Sequence, residues 1–180
     1  MVVFDATFLS HLLYPASRPP LDPSTNQPVA RAKERIEHLI DTLWQSRQKI
    51  VIPTPALTEL LAVAGNPQEL LDVISSSRWF EIYPFDQRAA IECAEFVRAA
   101  AKPRRKKGLP SAWAKAKFDY QIIAIAIVVG ADIIYTDDED IPRLLAGKRI
   151  KVIRISELPL PPPQQMPLYE AGDPNEENVK

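Results

Sequence analysis

Along the chain, apolar runs of strand length alternate with stretches where apolar residues recur every three to four positions. MVVF at the start reads as a short buried strand. ARAKERIEHLIDTLWQSRQK sets Ile36, Leu39, Ile40 and Leu43 on one face of an amphipathic helix, and KIVIP follows as a strand. Thr54 then reads as an N-cap with Pro55 at the first helical position of ALTELLAVA. Leu70 to Ile74 predicts a further short helix, RWFEIYPF a strand or extended segment, and DQRAAIECAEFVRAAA a helix. A long helix is expected from near Ser111 to Gly130, a C-terminal stop signal. ADIIYT is a strand, IPRLLAG a helical turn and RIKVIRI a last strand. This alternation predicts an α/β fold: a central, mostly parallel sheet with helices on both faces.

Two segments break the pattern. Pro15 to Pro28 holds five prolines and reads as a surface loop or insertion. After Glu157 the chain is proline-rich and acidic, and it lacks the apolar residues to form a core. The expected organisation is therefore one domain over 1–157 and an extended or disordered tail over 158–180.

Composition narrows the chemistry. The 46% hydrophobic and 25% charged residues are an ordinary globular balance, so neither disorder nor a membrane protein is indicated. No charge-free apolar run reaches the roughly 18 residues of a membrane span, and MVVFD meets an acid at its fifth position. The expectation is a soluble, cytoplasmic protein. The single Cys93 excludes an internal disulfide framework and cysteine-based clusters, and reads as a small core residue. His11 and His38 are too few for most zinc sites and lie in no serine-triad context. Five scattered glycines build no phosphate-cradling loop. FDAT lacks the second Asp that an aspartyl-phosphate phosphatase needs, since Thr7 stands there.

The net charge of −1 hides an uneven distribution. Phe96 to Phe118 carries eight basic residues and no acid, five of them within KPRRKK. Arg104, Arg105, Lys106 and Lys107, with Lys115 and Lys117, form a candidate phosphate track whose alternative is a solvated loop. Trp113 and Tyr120 could stack on bases, with core packing as the plainer reading.

In open parallel sheets, ligands bind beyond the carboxyl ends of the strands. Asp5 directly follows MVVF. Glu59 lies one to two turns into the helix after KIVIP. Asp119 sits in the long helix just ahead of IIAIAIVV, and Asp137 and Asp138 directly follow IIYT. Each has a plain alternative: a turn former or helix cap, a solvated glutamate, a surface ion pair with Lys115, a wet loop. Their convergence on one edge of one sheet is the stronger signal. Hard oxygen donors without His or Cys suit Mg²⁺ or Mn²⁺.

These residues resemble the PIN-domain nucleases, the family that includes VapC-type toxins of toxin–antitoxin pairs. VVFDATFL resembles the opening strand with its metal-binding Asp at Asp5 and a small polar residue at Thr7. TPALTELL resembles the second motif, at Glu59. FDYQIIAIAIVVGADIIYTDDEDI resembles D-x-x-I-x-A-x-A followed by a strand ending T-x-D-x-D. It carries the third acid to Asp119 and the fourth to Asp138, with Thr136 beside it and Asp140 as a further candidate. A one-residue shift of the strand end would favour a different one of Asp137, Asp138 and Asp140. The resemblance covers about residues 1–155. The longer chain, the proline-rich loop and the acidic tail depart from the usual small toxin.

The resemblance implies a PIN-like sheet, an RNA substrate, an antitoxin partner, a homodimer, and one or two Mg²⁺ or Mn²⁺ ions activating water for attack on a backbone phosphate. Asp5, Glu59, Asp119 and Asp138 would be the catalytic acids and metal ligands, with Thr7, Thr136 and Asp137 orienting them. A PIN-like module that binds RNA or protein without cutting, and a phosphoesterase acting on a small substrate, are the competing readings.

Overall fold

The computed structural model describes residues 1–14, 18–101 and 112–163, with the side chains of 100, 101 and 112–116 outside that set. Arg104 to Lys107, the Lys115 and Trp113 side chains, and the tail beyond 163 therefore lie outside the described residues.

Five parallel strands form one sheet in the order β3-β2-β1-β4-β5. They are β1 (Val2–Phe4), β2 (Ile50–Pro53), β3 (Phe80–Tyr83), β4 (Ile133–Tyr135) and β5 (Lys151–Ile153). The helices are α1 (Ala6–Leu13), α2 (Ala32–Gln45), α3 (Thr54–Val63), α4 (Pro67–Ser76), α5 (Gln87–Ala101), α6 (Ala112–Val128) and α7 (Asp140–Leu144), followed by a single 3-10 turn, Ile155–Glu157. The connections β1 to β2 to β3 run one way across the sheet, and the return to β4 and on to β5 runs the other. Among the helices, α5 packs on α6, and α3 touches both α1 and α6.

The central strands are apolar throughout because both faces are covered: Val3, Phe4, Ile50, Val51, Ile52 and Ile134 are all fully buried. The edge strands β3 and β5 carry exposed Glu81 and Lys151, which discourage further pairing. The IIAIA stretch of α6 is buried as a block, since this helix is covered all round. At its end Gly130 adopts φ +64. Ala131 N–H reaches Ala126 C=O and Gly130 N–H reaches Ile127 C=O, a Schellman stop that requires the left-handed glycine.

Three local features differ from the sequence expectation. The helix α1, ATFLSHLL, was not foreseen; it begins immediately after β1 because the Asp5 carboxylate caps the Phe8 N–H. Thr54 is already inside α3, and its hydroxyl accepts from Phe85 N–H rather than capping the helix. Finally, α4 runs from Pro67 to Ser76, longer than its apolar stripe, because Asn66 caps it and Pro67 occupies the first turn. Where the tail was placed to begin, Leu158 is buried and its carbonyl accepts from the Arg35 guanidinium of α2.

Candidate functional site

All five strands run the same way, so their carboxyl ends share one edge. The last paired row of the three strands β1, β4 and β5 is Phe4, Tyr135 and Ile153. One residue further on stand Asp5, Thr136 and Arg154.

Asp5 is 2% exposed and sits in a closed set of donors. Its Oδ1 accepts from Phe8 N–H at 2.9 Å. The Thr7 hydroxyl donates to the carboxylate at 2.9 and 3.0 Å, and the Thr136 hydroxyl donates to Oδ2 at 2.5 Å. The loop after β4 fixes the direction of both hydroxyl protons. Asp137 N–H donates to Thr7 Oγ1 at 2.9 Å, and Asp138 N–H donates to Thr136 Oγ1 at 2.9 Å. Each hydroxyl accepts there, so its proton turns toward Asp5. Phe4, Phe8 and Tyr135 pack with ring centroids 4.5 to 5.5 Å apart on the residues that bracket this network. Burial pushes the Asp5 carboxyl up to about 7, against its three hydrogen bonds, and the charge of Asp138 adds to the rise.

The four carboxylates after β4 take different positions. Asp138 is the one whose charge acts on Asp5, and its Oδ1 also accepts Asp140 N–H at 2.7 Å at the start of α7. Asp137 turns away: its Oδ1 accepts Ile155 N–H at 3.1 Å, tying the loop to the 3-10 turn. Its Oδ2 lies 3.9 Å from His11 Nε2. This is ion-pair distance, but burial raises Asp137 and lowers His11, so both are pushed toward their neutral forms; 3.9 Å is also too long for a hydrogen bond. Asp140 and Glu139 pair with Arg143 at 3.1 and 3.4 Å.

The other two predicted acids lie on helices. From Val128, beside the amino end of β4, α6 runs back about 14 Å to Asp119. This is enough to span β4, and Asp119 is 6% exposed. Glu59 lies about 7 Å along α3, counted from its start after β2, and is exposed between buried Leu57 and Leu60. Among the described residues no three acids or imidazoles are gathered tightly enough to hold an ion as they stand. Tyr120 is core, stacked on Phe96 at 6.0 Å, and Cys93 is buried. Lys117 is exposed. Sequence reasoning missed His11 beside Asp137 and Arg154 at the end of β5. The signal for Arg154 was its place directly after an apolar strand, as for Asp5 and Thr136.

The fold and this edge define a class: a parallel α/β domain in which Asp5 after β1 meets the acidic loop after β4 at one end of the sheet. A sequence model of the PIN domain matches residues 25–145, more than half of the chain, and the chain belongs to the PIN domain family. The match includes Glu59, Asp119, Asp138 and Asp140. Asp5 and Thr7 precede it and join the rest through their hydrogen bonds. No curated protein matches the chain in sequence. Solved structures similar in fold include a chain of DNA-bound VapBC from Salmonella typhimurium (16% identity, TM-score 0.52, covering 86% of this chain and 97% of that one). VapBC2 from Rickettsia felis bound to a promoter DNA fragment is similar at 15% identity and TM-score 0.52, over 86% and 98%. VapBC-1 from nontypeable Haemophilus influenzae gives 13% identity and TM-score 0.55, over 87% and 99%. No helix among the described residues is long and apolar enough to cross a membrane.

Proposed function

We propose that this chain is a divalent-metal-dependent endoribonuclease that hydrolyses RNA phosphodiester bonds, and that it is the toxin of a toxin–antitoxin pair. The observation that carries the reading is Asp5: a buried carboxylate held by three donors beside Asp138, at the ligand-binding edge of a PIN-family sheet. Carboxylate is costly to bury, and a cation is what would offset that cost.

The donor set fits Mg²⁺ or Mn²⁺ in chemistry, being all oxygen. Asp5, Asp119 and Asp138 would hold one or two ions, with Glu59 joining directly or through water and Asp140 as an alternate once released from Arg143. A bound ion would neutralise phosphate charge and acidify water. The protein's own part is orientation. Thr7 and Thr136 aim their protons at Asp5 and so fix which of its lone pairs face outward, while Asp137 holds the loop that sets both hydroxyls. The RNA backbone would be drawn by Lys117 together with Arg104, Arg105, Lys106, Lys107 and Lys115. The domain would span 1–157 with the acidic tail 158–180 outside it, acting in the cytoplasm as a homodimer with an antitoxin. The fold shared with chains of VapBC complexes supports that partner.

Wild-type protein should cut single-stranded RNA with Mn²⁺ or Mg²⁺ and not in EDTA, and Asp5→Asn or Asp138→Asn should abolish cutting. Metal-dependent activity surviving in both variants would sink the assignment. The spread of the acids favours one rival, a PIN-like module that binds RNA or protein without cutting. Binding without metal-dependent cleavage by wild type would establish it.

A further inference from the structure

The row beyond the last strand pairing holds a third residue that the acid site does not use. Thr136 N–H donates to Ile153 C=O at 3.1 Å, which carries the β4–β5 pairing one step past its last strand row and sets Arg154 beside Thr136. Arg154 is extended, at φ −94 and ψ 162, so it continues β5 by one residue. Residues in one row of parallel strands share a face, as the Thr136 to Asp5 bond demonstrates for the first pair. Two strand spacings separate Arg154 from Asp5, about 10 Å between backbones.

The backbone of Arg154 is locked. Its N–H donates to Glu157 Oε2 at 2.8 Å, and its C=O accepts Glu157 N–H at 3.1 Å. The residue is partly buried, and among the described residues its guanidinium takes part in no ion pair or hydrogen bond. Asp137 and Glu157 stand nearby, and the charge of Arg154 is felt at Asp137, but neither carboxylate reaches ion-pair distance. By contrast, Arg143 is spent on Glu139 and Asp140. A guanidinium without a partner among the described residues, on a fixed backbone, suits an oxyanion held by two hydrogen bonds.

We propose that Arg154 binds a backbone phosphate of the substrate strand next to the one at Asp5, so that single-stranded RNA crosses the sheet edge from β1 toward β5. This rests on the nuclease reading for the scissile position, but phosphate contact is measurable without cleavage. The row would then read as a carboxylate for the ion, a hydroxyl that orients it, and a cation that registers the strand.

The test is fluorescence anisotropy of a short fluorescein-labelled oligouridylate with the full chain in EDTA, across a salt series. The variants are Arg154→Gln and Arg154→Lys, with Arg143→Gln as the already paired control. Arg154→Gln should weaken binding about five- to tenfold and lower the log–log salt slope by about 0.7, one phosphate's worth on a single strand. Arg154→Lys should keep the slope while losing part of the affinity, because a point charge replaces a fork. Arg143→Gln should change neither by as much. A purely structural Arg154, compensating Asp137, would lower the melting temperature in Arg154→Gln and leave the slope unchanged; that result overturns the proposal. So does an absence of oligonucleotide binding by wild type. Binding with the expected slope change but no Mn²⁺-dependent cleavage would refute the nuclease reading and leave the Arg154 contact standing. Cleavage with an unchanged slope would do the reverse.

Discussion

Asp5→Asn in the metal-free protein isolates the electrostatic state of the site. The Asp5 carboxyl is pushed from 3.8 to about 7, mainly by burial. The folded chain therefore binds this proton more tightly than the unfolded chain. Its contribution to stability is fully present below pH 3.8 and is lost as pH rises through about 7. A rise of this size is worth about 4 kcal/mol in total, of which about 2.5 kcal/mol falls between pH 5 and pH 8. Asparagine removes the charge and keeps one acceptor for Phe8 N–H. It also turns an amide toward a threonine hydroxyl already directed as a donor, at a cost of about 1–3 kcal/mol. Asp5→Asn should thus be less stable than wild type at pH 5 by about 1–3 kcal/mol, gain about 2.5 kcal/mol on it by pH 8, and end there between about equal and about 1.5 kcal/mol more stable. Asp137, also raised, and His11, lowered and so destabilising as pH falls, remain in both proteins. Their effects cancel in the difference. Urea unfolding in EDTA at several pH values measures it. Parallel pH profiles for the two proteins would refute the reasoning, since they would mean that Asp5 has no unusual proton affinity in the fold.

Thr136→Val removes the hydroxyl that donates to Asp5 and accepts Asp138 N–H, and should cost about 2–3 kcal/mol at pH 8 by urea unfolding. An unchanged midpoint would count against the relay. Asp137→Ala should cost about 1–2 kcal/mol by leaving Ile155 N–H without its acceptor, while the Mn²⁺-induced rise in melting temperature persists. Loss of that rise would make Asp137 a ligand instead. Asp138→Asn should leave the metal-free protein as stable or more so, by relieving Asp5, and should erase the Mn²⁺ rise. A lower metal-free melting temperature would argue against repulsion between Asp138 and Asp5.

The parallel α/β architecture was legible in the sequence, although the strand order was not. Continuous apolar runs such as VVF and IVI mark strands buried on both faces, and Gly130 marks the end of α6. The convergence of Asp5 and Asp138 was legible for the same reason, since both directly follow apolar strands. The helix α1 was not, because ATFLSHLL follows β1 without a loop and its only start signal, Asp5, is also the site acid. Nor could sequence divide DDED into roles. Which carboxylate faces Asp5 and which faces Ile155 depends on the β4–β5 register, and hence on residues eighteen positions away. Arg154 escaped notice likewise, since its importance lies in its row across three strands rather than in its neighbours along the chain.

The central claim is that acids from separate segments jointly hold a divalent ion, and calorimetric titration of Mn²⁺ into the purified chain tests it most directly. The account predicts one or two Mn²⁺ ions bound to wild type, with affinity reduced at least about tenfold in each of Asp5→Asn, Asp119→Asn and Asp138→Asn. Mn²⁺ binding that is absent from wild type, or unchanged in all three variants, would contradict it.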